Sequence, residues 1–130
     1  MKGIYVLIIN LKYSIRIRVG ALGNLTFPAG LYAYVGSAQN SIELRVARHQ
    51  RKEKRLFWHI DYLLNNESAK VEAVYVAEGL KADECRVARE IEANGAFPTL
   101  GFGCSDCCCV SHLFHISSFG FLEKQMKRLS

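Results

Sequence analysis

Residues 2–10, KGIYVLIIN, form a nearly unbroken run of β-branched and aliphatic side chains with one phenol, Tyr5, embedded in it. A strand that alternates apolar and polar residues can leave one face to water, whereas a strand apolar on both faces must be covered on both. This run therefore predicts a central strand with other elements packed above and below it. The remainder of the 130-residue chain has to supply that cover. Its 50% hydrophobic content with 11% aromatics suffices for one packed core, which predicts a single domain spanning 1–130.

The stretch that follows alternates, with Ile15, Ile17 and Val19 on one side and Ser14, Arg16 and Arg18 on the other, as expected of a half-exposed partner strand over 13–19. Gly20, Gly23 and Asn24 give a turn, and Pro28 restricts residues 26–30 to a sheet edge, since proline cannot donate to a central ladder. Together these predict an inserted hairpin. Residues 31–36, LYAYVG, are a second apolar run of strand type, and Asn40 with Glu43 three residues later gives a capping-box-like helix start. On that helix Arg45, Arg48, His49 and Lys52 share one face and Ile42 and Val46 another, so it packs by its aliphatic side and presents a cationic stripe.

Leu56, Phe57, Ile60, Leu63 and Leu64 repeat with helical period and predict a second helix over 55–65. A strand over 71–77 follows, then a third helix that Asp83 caps and that closes at Asn94 and Gly95. Residues 95–103 read as irregular, 113–116 as a short strand, and 119–129 as a basic C-terminal helix. The expected fold is α/β (α+β): a small mixed, largely antiparallel sheet of four or five strands with about four helices packed on it.

Lysine and arginine number 17 against 12 acidic residues, a formal net charge of +5, and much of the excess sits between residues 45 and 55. Such a patch suits a polyanionic partner or simply a solvated helix face. No apolar run approaches the roughly 20 residues a membrane helix needs, and the N-terminus lacks the pattern of a signal peptide, which together predict a cytoplasmic protein with no membrane contact.

The Gly3-Ile4-Tyr5 triplet, the Tyr34-Val35-Gly36 triplet, and a helix carrying Arg45 and then His49 one turn later resemble the GIY-YIG nuclease superfamily. The 28 residues between Tyr5 and Tyr34 are a longer spacer than most members carry. Residues 101–113, GFGCSDCCCVSHL, together with the Glu84-Cys85 pair and that long spacer, resemble an archaeal branch of the superfamily whose domains occur alone or fused to endonuclease III. This resemblance extends over nearly the whole chain. The likeness to the superfamily as a whole, rather than to that branch, implies a metal-dependent endonuclease that hydrolyses phosphodiester bonds in DNA, in a repair setting, with Mg²⁺ or Mn²⁺ held by one glutamate.

Glu84 is matched to that glutamate, because it shares the third helix's apolar face with Val87, Ala88 and Ile91 whereas Glu90 points away. Position in the first helical turn explains it equally well, since negative charge is favoured there in any protein. Under the resemblance Tyr5 is the base, its pKa lowered by nearby cations, and Tyr34 orients the attacking water. Arg45 neutralises charge on the phosphoryl oxygens, and His49 relays a proton or holds the phosphate. Arg48, Lys52 and Arg55 are expected to bind nucleic acid.

Four of the five cysteines lie between Cys104 and Cys109 and are too close together for an ordinary disulfide framework, so reduced thiols or metal ligands are expected. Cys104, Cys107, Cys109 and His112 are candidate Zn²⁺ ligands. Small soft side chains filling a tight loop explain the same cluster, and Asp106 with His112 is a candidate wall of the active site. Two further functions stand beside the nuclease: a nucleic-acid-binding accessory module without chemistry, and a zinc- or thiol-based interaction protein.

Overall fold

The computed structural model describes residues 1–104 and 109–129. Its first strand, β1 (Gly3–Leu11), is buried over seven successive residues, as an apolar run without alternation requires. Next come β2 (Ile15–Arg18) and β3 (Asn24–Phe27), an antiparallel ribbon closed by a 3₁₀ turn at Gly20–Leu22, and this is the inserted hairpin. The chain returns beside β1 as β4 (Gly30–Ala38), pairing from Gly3 opposite Ala38 to Leu11 opposite Gly30. It continues through α1 (Ile42–Gln50), α2 (His59–Leu64), β5 (Ala69–Ala77), α3 (Asp83–Ala93), β6 (Phe97–Pro98) and β7 (Leu113–Ile116). A 3₁₀ turn at Gly120–Lys124 then leads into β8 (Lys127–Arg128). The main sheet has the order β6-β7-β4-β1-β5-β8 with antiparallel neighbours throughout, so the architecture is α+β.

Alternation along β1 divides the interior into two layers. Tyr5, Leu7 and Ile9 face Val19 and Phe27 of the inserted hairpin, Ile42 and Val46 of α1, and Ile60, Leu63 and Leu64 of α2. Ile4, Val6 and Ile8 face Val87, Ala88 and Ile91 of α3 together with Leu122 and Met126. Both faces of the sheet are thus covered, as the apolar first strand demanded.

Five local expectations are corrected. Asp83 is not the cap of α3 but its first residue, after Ala82, and its Oδ2 accepts the Leu80 N–H at 2.8 Å from the turn ahead of the helix. Residues 119–129 do not form a helix: Leu122 and Met126 are buried, and the chain then pairs with the outer edge of β5, where the Leu129 N–H donates to the Val74 carbonyl at 2.7 Å. Closing an exposed sheet edge outweighs helical periodicity there. The second helix begins at His59 rather than residue 55, because Asp61 Oδ2 accepts the Phe57 and Trp58 N–H groups, both at 2.9 Å, and holds them extended. α1 is capped by Ser41, whose Oγ accepts the Leu44 N–H at 3.2 Å, while Glu43 pairs with the N-terminal amine at 2.9 Å. Residues 97–98, expected to be irregular, add an edge strand to β7. Among the described residues no helix is long and apolar enough to cross a membrane.

Candidate active site

The two glycines of the paired triplets have distinct physical roles. Gly3 has φ +146°, where side chains are strained, and a Cβ there would run into the Ala77 carbonyl oxygen. Gly36 lies directly opposite Tyr5 in the β1–β4 register, and a Cβ on it would overlap the Tyr5 phenol. The Tyr5 ring therefore lies across bare backbone at the end of the sheet. This is the floor of a cavity of about 620 Å³ whose wall includes Tyr5, Tyr34, Ser37, Arg45, Trp58 and Glu84.

Four of the five residues predicted to be catalytic line this cavity, although they come from β1, β4, α1 and α3. Arg45 donates through Nη1 to the Ser37 carbonyl at 3.2 Å and lies 4.6 Å from the Trp58 ring centroid, so packing and a hydrogen bond hold its guanidinium at the rim. Glu84, at the start of α3, accepts from the Ser37 hydroxyl through Oε2 and stands 3.2 Å from His112 Nδ1 through Oε1. Each carboxylate oxygen keeps a further lone pair for another partner. Glu84 is the one carboxylate among the described lining residues, which suits a hard cation that takes one or two protein carboxylates and otherwise keeps its waters.

His49 does not reach the cavity. It is buried behind Tyr5, with Nε2 2.8 Å from the phenolic oxygen, and its Nδ1 has no partner among the described residues. Burial lowers its pKa to about 3, with Lys54, Arg48 and Arg45 adding to the fall and Asp61 opposing it, so the ring is neutral. A buried orphan N–H is rarer than an orphan lone pair, which assigns the proton to Nε2. Tyr5 then accepts from His49, and its own O–H is free to turn into the cavity.

The expectation that cations lower the Tyr5 pKa is corrected. Burial pushes the phenol above its ordinary range, Glu84 and Asp61 push the same way, and Arg45 draws it only part of the way back. Burial raises Tyr34 as well, with Tyr5, Glu84 and Asp61 adding to the effect. Both phenols are therefore hydrogen-bond donors at neutral pH.

The residues expected to bind nucleic acid are placed differently from one another. Arg48 forms a bidentate pair with the fully buried Asp61, at 2.8 and 3.0 Å, and stacks 4.4 Å from the Trp58 centroid. Burial pushes the Asp61 carboxyl up, but Arg48 and the Phe57 and Trp58 N–H groups together hold it below the usual carboxylate range. Lys52 spans the Leu64, Asn66 and Ala69 carbonyls at 2.6 to 2.9 Å. Arg55 is exposed. Sequence reasoning missed Ser37, Trp58 and His59 as lining residues. His59 Nδ1 accepts the Gly103 N–H at 2.9 Å and so ties the loop before β7 to α2. Its only sequence signal is a histidine beside a tryptophan on a short amphipathic segment.

Of the expected zinc ligands, Cys107 lies outside the described residues, as does Asp106. Cys104 is turned aside, its thiol donating to the Phe102 carbonyl at 3.4 Å. Cys85, not proposed as a ligand, replaces it: the potential ligand atoms of Cys85, Cys109 and His112 all lie within 4.8 Å of one another. Cys85 and Cys109 are joined as a disulfide, with Cα atoms 6.0 Å apart, which corrects the expectation of reduced thiols: the pairing partner of Cys109 comes from α3, not from the crowded cysteine segment itself.

No curated protein and no solved structure matches the chain. A family model, described as Domain of unknown function DUF123, matches residues 4–130, and the chain belongs to that family.

Proposed function

We propose that the protein is a GIY-YIG-type phosphodiesterase acting on DNA, with Mg²⁺ or Mn²⁺ carried on Glu84. The observation that supports this reading is the convergence of Tyr5, Tyr34, Arg45 and Glu84, from four different elements, on one cavity. Glu84 would hold the cation, which when bound would supply positive charge to the phosphoryl group. Arg45, pre-set by Ser37 and Trp58, offers a forked and permanently charged donor to the phosphoryl oxygens as their charge grows. The Tyr5 O–H, freed by the His49 donation, orients a water or a phosphoryl oxygen from the cavity floor. Tyr34, whose side chain lines the same wall, offers a second O–H donor there.

A nicking assay on plasmid DNA with Mg²⁺ or Mn²⁺ tests the reading. Cleavage by the wild-type chain should fall at least about 100-fold in Glu84→Gln and in Arg45→Ala, the size of effect expected for one transition-state contact. DNA binding by Glu84→Gln should persist. Salt-sensitive DNA binding with no cleavage under any divalent ion would instead support a binding module without chemistry. That reading draws on the exposed Phe57 at the cavity rim, a surface on which a base can stack.

A further inference from the structure

Cys85 stands in the first turns of α3, Cys109 in the segment before β7, and His112 two residues beyond Val110 at the approach to the same strand. A bond between the two sulfurs accounts for Cys85 and Cys109, while His112 joins them to Glu84, with one ring nitrogen toward each. His112 is almost fully buried, and its backbone is fixed on both sides: its N–H donates to the Phe102 carbonyl at 2.8 Å, and its carbonyl accepts the Val35 N–H at 2.9 Å. The ring is thereby aimed with Nε2 at Cys85 Sγ, 3.8 Å away, and Nδ1 at Glu84 Oε1, 3.2 Å away.

A disulfide sulfur is a weak acceptor and calls for no such partner. A soft divalent cation calls for this set: two thiolates, one imidazole nitrogen, and a carboxylate on the other imidazole nitrogen to fix tautomer and orientation. We propose that Cys85, Cys109 and His112 bind one Zn²⁺ when the two cysteines are reduced, with Glu84 as the carboxylate that positions the imidazole. Binding releases the thiol protons to solvent and transfers no electrons. Three ligands among the described residues leave a fourth coordination position for water or another donor. The site does not depend on the phosphodiesterase reading, but the two share Glu84, so the cation on one side of the carboxylate steadies a group that lines the cavity on the other.

The test uses the full chain purified under a phosphine reductant and then freed of loosely held metal. Elemental analysis should find one zinc per chain, and Co²⁺ replacement should give a thiolate-to-cobalt charge-transfer band. Cys85→Ser and Cys109→Ser should each lose the metal, whereas Cys104→Ser should keep it. Glu84→Gln should weaken zinc affinity by about 10- to 100-fold, as loss of such a supporting carboxylate does elsewhere. The Co²⁺ spectrum of the unmutated chain keeps the proposal testable if a cysteine variant fails to fold. Reduced wild-type protein that takes up no stoichiometric zinc or cobalt overturns it, as does retention of the metal by Cys85→Ser. Nuclease activity enters none of these measurements, so either reading can fail alone.

Discussion

At the floor of the cavity Tyr5 meets three groups at once: the imidazole of His49 behind it, the bare backbone of Gly36 beneath it, and the charge of Arg45 beside it. The pairing with His49 is a pairing of neutral groups, and it has a cost that depends on pH. His49 has a folded-state pKa of about 3 against an ordinary 6.5, so above the higher value both folded and unfolded chains carry it neutral. As pH falls from about 6.5 towards about 3 the unfolded chain takes up a proton that the folded chain refuses, and stability is lost across that window. His59, whose pKa burial also lowers, acts in the same direction. The urea midpoint of the wild-type chain should therefore drop between pH 7 and pH 4, and His49→Gln should make that drop shallower. An equal drop in the variant would show that His49 is not the group responsible.

Between the elements, Asp61 is the joint that most of the 51–64 region turns on. Its carboxylate takes two N–H groups from the residues ahead of α2 and the fork of Arg48 from α1. Asp61→Ala removes all of these at once and leaves a half-buried guanidinium without its counter-charge, so it should cost about 3–5 kcal/mol in urea denaturation. The same joint shows where the sequence stops being readable. β1, α3 and β7 follow from apolar runs, breakers and period, all local signals. The start of α2 depends on which carboxylate accepts two backbone donors, and β6 and β8 are two-residue strands with no period to detect, created by neighbours far along the chain. The site divides in the same way. Tyr5, Tyr34, Arg45 and Glu84 sit on regular elements whose faces can be counted out, whereas Cys85 joins Cys109 and His112 only through the approach of α3 to the segment before β7.

For the molecule as a whole, net charge overstates what a polyanion meets. Of the cationic side chains in residues 45–55, Arg48 is committed to Asp61 and Lys52 and Lys54 to two or more backbone carbonyls each, whereas Arg45 makes a single bond to the Ser37 carbonyl at the cavity rim and Arg51 and Arg55 are exposed. Each phosphate contact contributes a slope of about −0.9 to log K against log salt, so DNA binding through the last three should give a slope near −3 rather than the steeper value the whole segment would suggest. A filter-binding or fluorescence titration over a range of salt concentrations measures this directly, and a slope twice as steep would place further basic residues in the contact. The cavity itself lies where the two layers come together: Arg45 belongs to the helices on one side of the sheet, and Glu84 to α3 on the other. Whatever bridges that arginine and that carboxylate acts as a rivet through the thickness of the domain, and its occupancy should be legible in the melting temperature before any product is detected.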